Sequence, residues 1–92
     1  MENRIKIMIA ENNDFGQSCA RAFSSYGYTA VMTDKDGAQV LTKIKYEKPD
    51  VVIMDAFMLH VDALGVIKQI REMKDLKRPM IIVLSSVDNM RF

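Results

Sequence analysis

VVIMDAFMLHVDALGVIKQI, residues 51–70, is the stretch from which the rest of the chain is read. Val51–Met54 is apolar at every position and runs straight into Asp55. A strand with one wet face alternates apolar and polar residues, whereas a parallel strand covered by helices on both faces does not. The run therefore predicts a central parallel strand. Asp62 can cap a helix whose apolar residues Leu64, Ile67, Ile70 and Met73 recur at helical spacing.

The flanking sequence repeats this alternation of strand and helix. Lys77–Pro79 turns the chain into a fourth strand, Met80–Leu84 (MIIVL). Upstream, Ile5–Ala10 (IKIMIA) reads as a first strand, and Asn13 or Asp14 can cap a helix whose apolar residues Phe15, Cys19, Ala22, Phe23 and Tyr26 recur at three- and four-residue steps. Gly27 stands where a helix end favours a left-handed residue. Thr29–Thr33 is a short second strand. Asp36 caps a second helix with Val40, Leu41 and Ile44 inward, and Pro49 prevents it continuing. The order βαβαβαβ over one domain, residues 1–92, predicts an α/β fold: a doubly wound, flavodoxin-like parallel sheet of order 2-1-3-4. Such a sheet binds ligands beyond the carboxyl ends of its first and third strands. Glu11 and Asn12 follow the first strand and Asp55 the third, so topology alone directs these three side chains into one crevice.

Composition narrows the alternatives. With 13 basic and 12 acidic residues the formal charge is +1, which gives no electrostatic reason to expect nucleic-acid binding. No apolar run approaches the roughly 20 residues of a membrane span, and the polar N-terminus does not read as a signal peptide. A single cysteine, Cys19, fits a reducing interior, so a cytoplasmic location is the default. The glycines are scattered and form no nucleotide-binding loop. His60 has no second His or Cys beside it and reads as a loop residue. The basic residues Lys68, Arg71, Lys74, Lys77 and Arg78 read as a solvated face.

An aspartate directly after an apolar strand is costly unless its charge is compensated or used. Asp55 could simply cap its own loop through an Asx-type hydrogen bond. The convergence of Glu11 and Asn12 on the same end favours a functional role. Clustered oxygen donors suit a hard cation such as Mg²⁺, which joins one or two carboxylates to a phosphate.

These segments resemble response-regulator receiver domains of the CheY-like family. Residues 51–70 are similar to the family's third strand, loop and third helix, IKIMIAENND to its first strand and acidic pair, and IIVLSS to its fourth strand with a terminal hydroxyl. Met58, His60 and Asp62 look nearest to the receivers of the sporulation master regulators of spore-forming bacteria. The resemblance implies a phosphorelay. Asp55 would accept a phosphoryl group from a histidine kinase or phosphotransferase. Asp55, Asn12 and the backbone carbonyl of Phe57 would hold Mg²⁺, with Glu11 acting through a water, and Ser85 would donate its hydroxyl to the phosphoryl group. Such a domain is a phosphoacceptor, not an enzyme in the ordinary sense.

Four departures from the family's pattern bear on that expectation. Asn12 stands in place of an Asp, which predicts weaker Mg²⁺ binding. Leu59 replaces a Pro and predicts a looser loop; Ala63 replaces a Gly and predicts a Cβ at a glycine position. The chain reads as truncated after the fourth strand, with no residue aligned to the family's fifth-strand lysine. That predicts slow or undetectable phosphorylation, and an apolar edge at MIIVL through which the chain would dimerise or swap, or be poorly soluble alone. The alternative reading is a degenerate pseudo-receiver that acts as a phosphorylation-independent interaction or dimerisation module.

Overall fold

The computed structural model describes residues 5–75 and 77–84. Four strands and three helices alternate: β1 (Lys6–Ala10), α1 (Asp14–Ser25), β2 (Thr29–Met32), α2 (Gly37–Glu47), β3 (Val51–Asp55), α3 (Ala63–Glu72) and β4 (Met80–Leu84). All strand pairs are parallel, in the order β2-β1-β3-β4. The expected fold is therefore the observed one.

Side-chain alternation along β1 and β3 divides the core. Met8, Ala10, Val52 and Met54 face α2 and α3, where they meet Val40, Leu41, Ile44, Val66 and Ile70. Ile7, Ile9 and Ile53 face the other way, onto Cys19, Ala20 and Phe23 of α1. Because both faces are covered, β3 has no position that can be polar until its last residue.

Each helix starts on a side-chain cap. The carboxamide of Asn13 accepts from the Gly16 amide, Asp36 from Ala38 and Gln39, and Asp62 from Gly65. Of the two caps open for α1, Asn13 is the one used. Gly27 is left-handed at φ 92°, as its position after α1 requires.

Not every residue of the apolar spacing is buried. Phe15, Tyr26 and Leu64 are exposed, as is Ala22. Phe15 and Leu64 sit in the first turns of α1 and α3 and Tyr26 lies just past the end of α1, where an apolar stripe overhangs the sheet. Val66 fills the buried place in α3 instead. The Cβ of Ala63 meets no strain: Ala63 is the first helical residue after the Asp62 cap and packs into the core.

Candidate functional site

The carboxyl ends of β1 and β3 lie side by side, with Ala10 opposite Met54 in the register. The next residue on each chain is acidic, and both are almost fully buried: Glu11 is 5% exposed and Asp55 2%. Two carboxylates in so little solvent need compensating charge. Lys35 supplies it. Its ammonium lies 3.4 Å from Glu11 Oε2 and 3.4 Å from Asp55 Oδ2. Burial works against the charge on Lys35, but attraction to Glu11 and then to Asp55 outweighs it and raises the ammonium above the ordinary lysine value.

Asp55 divides its oxygens between two tasks. Oδ1 accepts from the Phe57 amide at 2.9 Å, the Asx-type turn considered for this residue, while Oδ2 faces Lys35. The capping role and the functional placement are thus both present in one carboxylate.

Backbone geometry holds Glu11 and Lys35 in place. A Cβ at Gly16 would lie 2.1 Å from the Glu11 carbonyl oxygen, so α1 can start this close to Glu11 only with glycine there. The loop after β2 is laced to the loop after β3. The Leu59 amide donates to the Lys35 carbonyl at 3.2 Å, and the Gly37 amide donates to the Leu59 carbonyl at 2.9 Å. A Cβ at Gly37 would fall 1.8 Å from the Val61 carbonyl oxygen. His60 adopts the left-handed conformation at φ 68°, and its Nδ1 stands 3.0 Å from Asp36 Oδ2. Hydrogen bonds from the Gln39 amide, from His60 and from the Ala38 amide outweigh desolvation and hold the Asp36 carboxyl below the usual aspartate value.

Leu59 therefore does the opposite of what its replacement of a proline predicts. A proline has no amide hydrogen to give to Lys35, so leucine at this position ties the two loops together.

Glu11 and Asp55 converge as expected. Asn12 is beside them but exposed, and its amide nitrogen donates to Asp34 Oδ1 at 2.9 Å. Phe57 is positioned through its bond to Asp55; together with Asn12, Lys35, Met58 and Leu59 it lines an open cavity of about 530 Å³. Ser85 lies outside the described residues. Among the described residues no three His, Cys, Asp or Glu side chains gather as a metal-binding group. Sequence reasoning missed Asp34 and Lys35. The signal available was the charged run Asp34–Asp36, which follows β2 at the same end of the sheet.

Comparison with known proteins addresses the family and the fold. The response regulator receiver domain family matches residues 7–92. The probable C4-dicarboxylate response regulator DctR of Halalkalibacterium halodurans is 34% identical over 73 residues, which cover 77% of this chain and 32% of that protein. The probable transcriptional regulator ycf27 of Guillardia theta is 32% identical over 88 residues, 95% of this chain and 34% of its own length. The chain thus spans about a third of the length of these two relatives. The signal receiver domain of the response regulator NarL from Mycobacterium tuberculosis superposes with a TM-score of 0.76 at 27% identity, covering 95% of this chain and 70% of that one. The fold is shared with the receiver domain of a sensor histidine kinase from Pseudomonas aeruginosa, whose active-site cleft coordinates magnesium (TM-score 0.73, 22% identity, covering 95% of this chain and 72% of that one). No helix among the described residues is long and apolar enough to cross a membrane.

Proposed function

We propose, from the premise that this chain belongs to the response regulator receiver domain family, that it carries signals by accepting a phosphoryl group on Asp55 from a phosphohistidine of a kinase or phosphotransferase. One observation carries the reading: two buried carboxylates, Glu11 and Asp55, stand at adjacent strand ends with one ammonium 3.4 Å from each. In the transfer, a carboxylate oxygen of Asp55 forms the new bond to phosphorus as the donor's N–P bond breaks, and the imidazole leaves with the electron pair. The protein contributes position and charge compensation. The Phe57 amide fixes the plane of the Asp55 carboxylate through Oδ1.

The donors of the proposed set, Glu11, Asn12, Asp55 and the Phe57 carbonyl, are all oxygens, which fits a hard cation. Asp55, Asn12 and the Phe57 carbonyl would hold Mg²⁺, with Glu11 one water further out and Ser85 the hydroxyl partner of the phosphoryl group. When bound, the ion supplies charge neutralisation for the transferring oxygens. Asn12 carries no charge, so its replacement by aspartate is expected to tighten Mg²⁺ binding. Equal affinity in Asn12→Asp would remove Asn12 from the ligand set.

Met58, His60 and Asp62 relate the loop to the receivers of sporulation regulators, and each has a local job here: Met58 packs on the core, His60 bonds Asp36, and Asp62 caps α3. We read the exposed apolar side chains of β4, Met80, Ile82 and Val83, as a pairing site for a second copy. A stable monomer by light scattering at high concentration argues against that.

The decisive measurement is intact mass after incubation with acetyl phosphate and Mg²⁺. A slow gain of one phosphoryl group, absent in Asp55→Asn, is the expected result. No gain at any time overturns the phosphoacceptor role.

A further inference from the structure

Lys35 belongs to neither the motif residues nor the ligand set proposed above, yet it bridges Glu11 and Asp55. We propose that Lys35 is the pocket's resident counter-ion, which a divalent cation must displace to bind. The inference rests on the phosphoacceptor reading of the same pocket.

Three observations carry it. The first is placement. The backbone of Lys35 is pinned by the Leu59 amide, and the neighbouring Asp36 and Leu59 form an isolated parallel bridge. The Cα of Lys35 is thus held in place, and its side chain reaches the carboxylates from a partly exposed position. The second is charge. Glu11 and Asp55 bring two negative charges and Lys35 one positive, so the trio keeps a single net negative charge for an incoming Mg²⁺ where the carboxylates alone would offer two. The third is the looseness of the contact. Both distances are 3.4 Å, longer than the roughly 2.8 Å of a charge-assisted hydrogen bond. The Lys35 side chain is also 37% exposed. An ammonium held by attraction without tight hydrogen bonds can be displaced, and its stem leaves it at the mouth of the cavity beside Asn12 and Phe57.

Lys35 thereby sets a threshold for the metal. Ammonium and Mg²⁺ repel at contact range, and partial exposure of Lys35 screens that repulsion. Removing the ammonium should tighten Mg²⁺ binding by about tenfold.

Calorimetric Mg²⁺ binding at constant ionic strength tests this on the wild type, Lys35→Met, Lys35→Gln and Lys35→Arg, each with and without Asp55→Asn. The proposal expects both neutral variants to bind Mg²⁺ about tenfold more tightly than the wild type and Lys35→Arg to stay within about twofold of it. Asp55→Asn should weaken all of them. Lys35→Gln repeats the charge removal without adding apolar surface, which covers a folding failure of Lys35→Met. If the neutral variants bind no tighter than the wild type while Asp55→Asn still abolishes binding, the counter-ion role is wrong and the phosphoacceptor pocket stands. If no variant binds Mg²⁺, both readings fall.

Discussion

β3 and β4 are both apolar runs, save for the closing Asp55 of β3, and pair along their whole length, from Val51 opposite Met80 to Asp55 opposite Leu84. Their surroundings differ sharply. From Val52 onward β3 is buried, whereas Met80, Ile82 and Val83 of β4 are exposed. β3 has β1 on one side and β4 on the other, with helices over both faces; among the described strands β4 touches only β3. An apolar run thus predicts a strand, but burial depends on where that strand falls in the sheet order.

The largest expected effect breaks or confirms this contrast directly. Met54→Ala removes a fully buried side chain between α2 and α3 and should cost about 2–5 kcal/mol. Ile82, 41% exposed, should cost about 1 kcal/mol or less on the same substitution. Urea unfolding of the two variants measures the difference. Similar losses would mean that β4 is as well covered as β3.

Next in size is the loop after β3, whose position depends on glycine where β4 has no such constraint. Gly37→Ala must push a Cβ away from the Val61 carbonyl, 1.8 Å from its ideal position. A loss of about 2 kcal/mol is expected, with displacement of the Lys35 backbone and slower phosphorylation of Asp55. An alanine variant with wild-type stability and rate would show that the two loops are not held by close packing.

How much of this the sequence revealed depends on the kind of interaction. Element order, sheet order and the meeting of Glu11 with Asp55 were legible, because crossover handedness and all-apolar strands leave few arrangements. Phe15, Tyr26 and Leu64 belong to the apolar spacing of their helices yet are exposed, because spacing marks a stripe without saying how far it is covered. Lys35 escaped notice because its role depends on a long side chain reaching from the end of β2 past β1 to β3. The Asn12 amide could not be foreseen to choose Asp34, since that choice depends on a neighbouring loop. Leu59 was misread for a related reason: a proline's stiffness was weighed, but the amide hydrogen it lacks was not.

The opposite edge of the sheet sharpens the contrast with β4. Just beyond β2, Thr33 is 6% exposed and its hydroxyl is the buried side-chain polar atom that lacks a hydrogen-bond partner among the described residues. Thr33→Val keeps the shape and removes the desolvated hydroxyl, so a gain of about 1 kcal/mol in unfolding free energy is expected. Destabilisation would mean that the hydroxyl has a partner after all. If the gain appears, both outer strands among the described residues carry an imperfection, an uncompensated polar group beside β2 and exposed apolar ones on β4.

The smallest effect concerns how β4 is fastened at its entry, the end opposite the site. Asp50 accepts hydrogen bonds from the Lys77 ammonium and, at 2.7 Å, from the Lys6 amide, while its own carbonyl receives the Met80 amide. The bond from Lys77 comes first, then that from Lys6, in holding the Asp50 carboxyl below its ordinary value of 3.8. A carboxyl depressed in the folded state binds fewer protons there than in the unfolded chain. Its stabilising contribution is therefore complete above 3.8 and declines as pH falls through the lower folded value. Asp36 shifts in the same direction, so Asp50→Asn should flatten the acid limb of the stability curve without abolishing it. Thermal melts from neutral pH down to about 3 should show the wild type losing more stability than Asp50→Asn. Parallel curves would show that the carboxylate contributes no net stability at this junction, leaving β4 held by its backbone pairing and by the packing of Ile81 and Leu84.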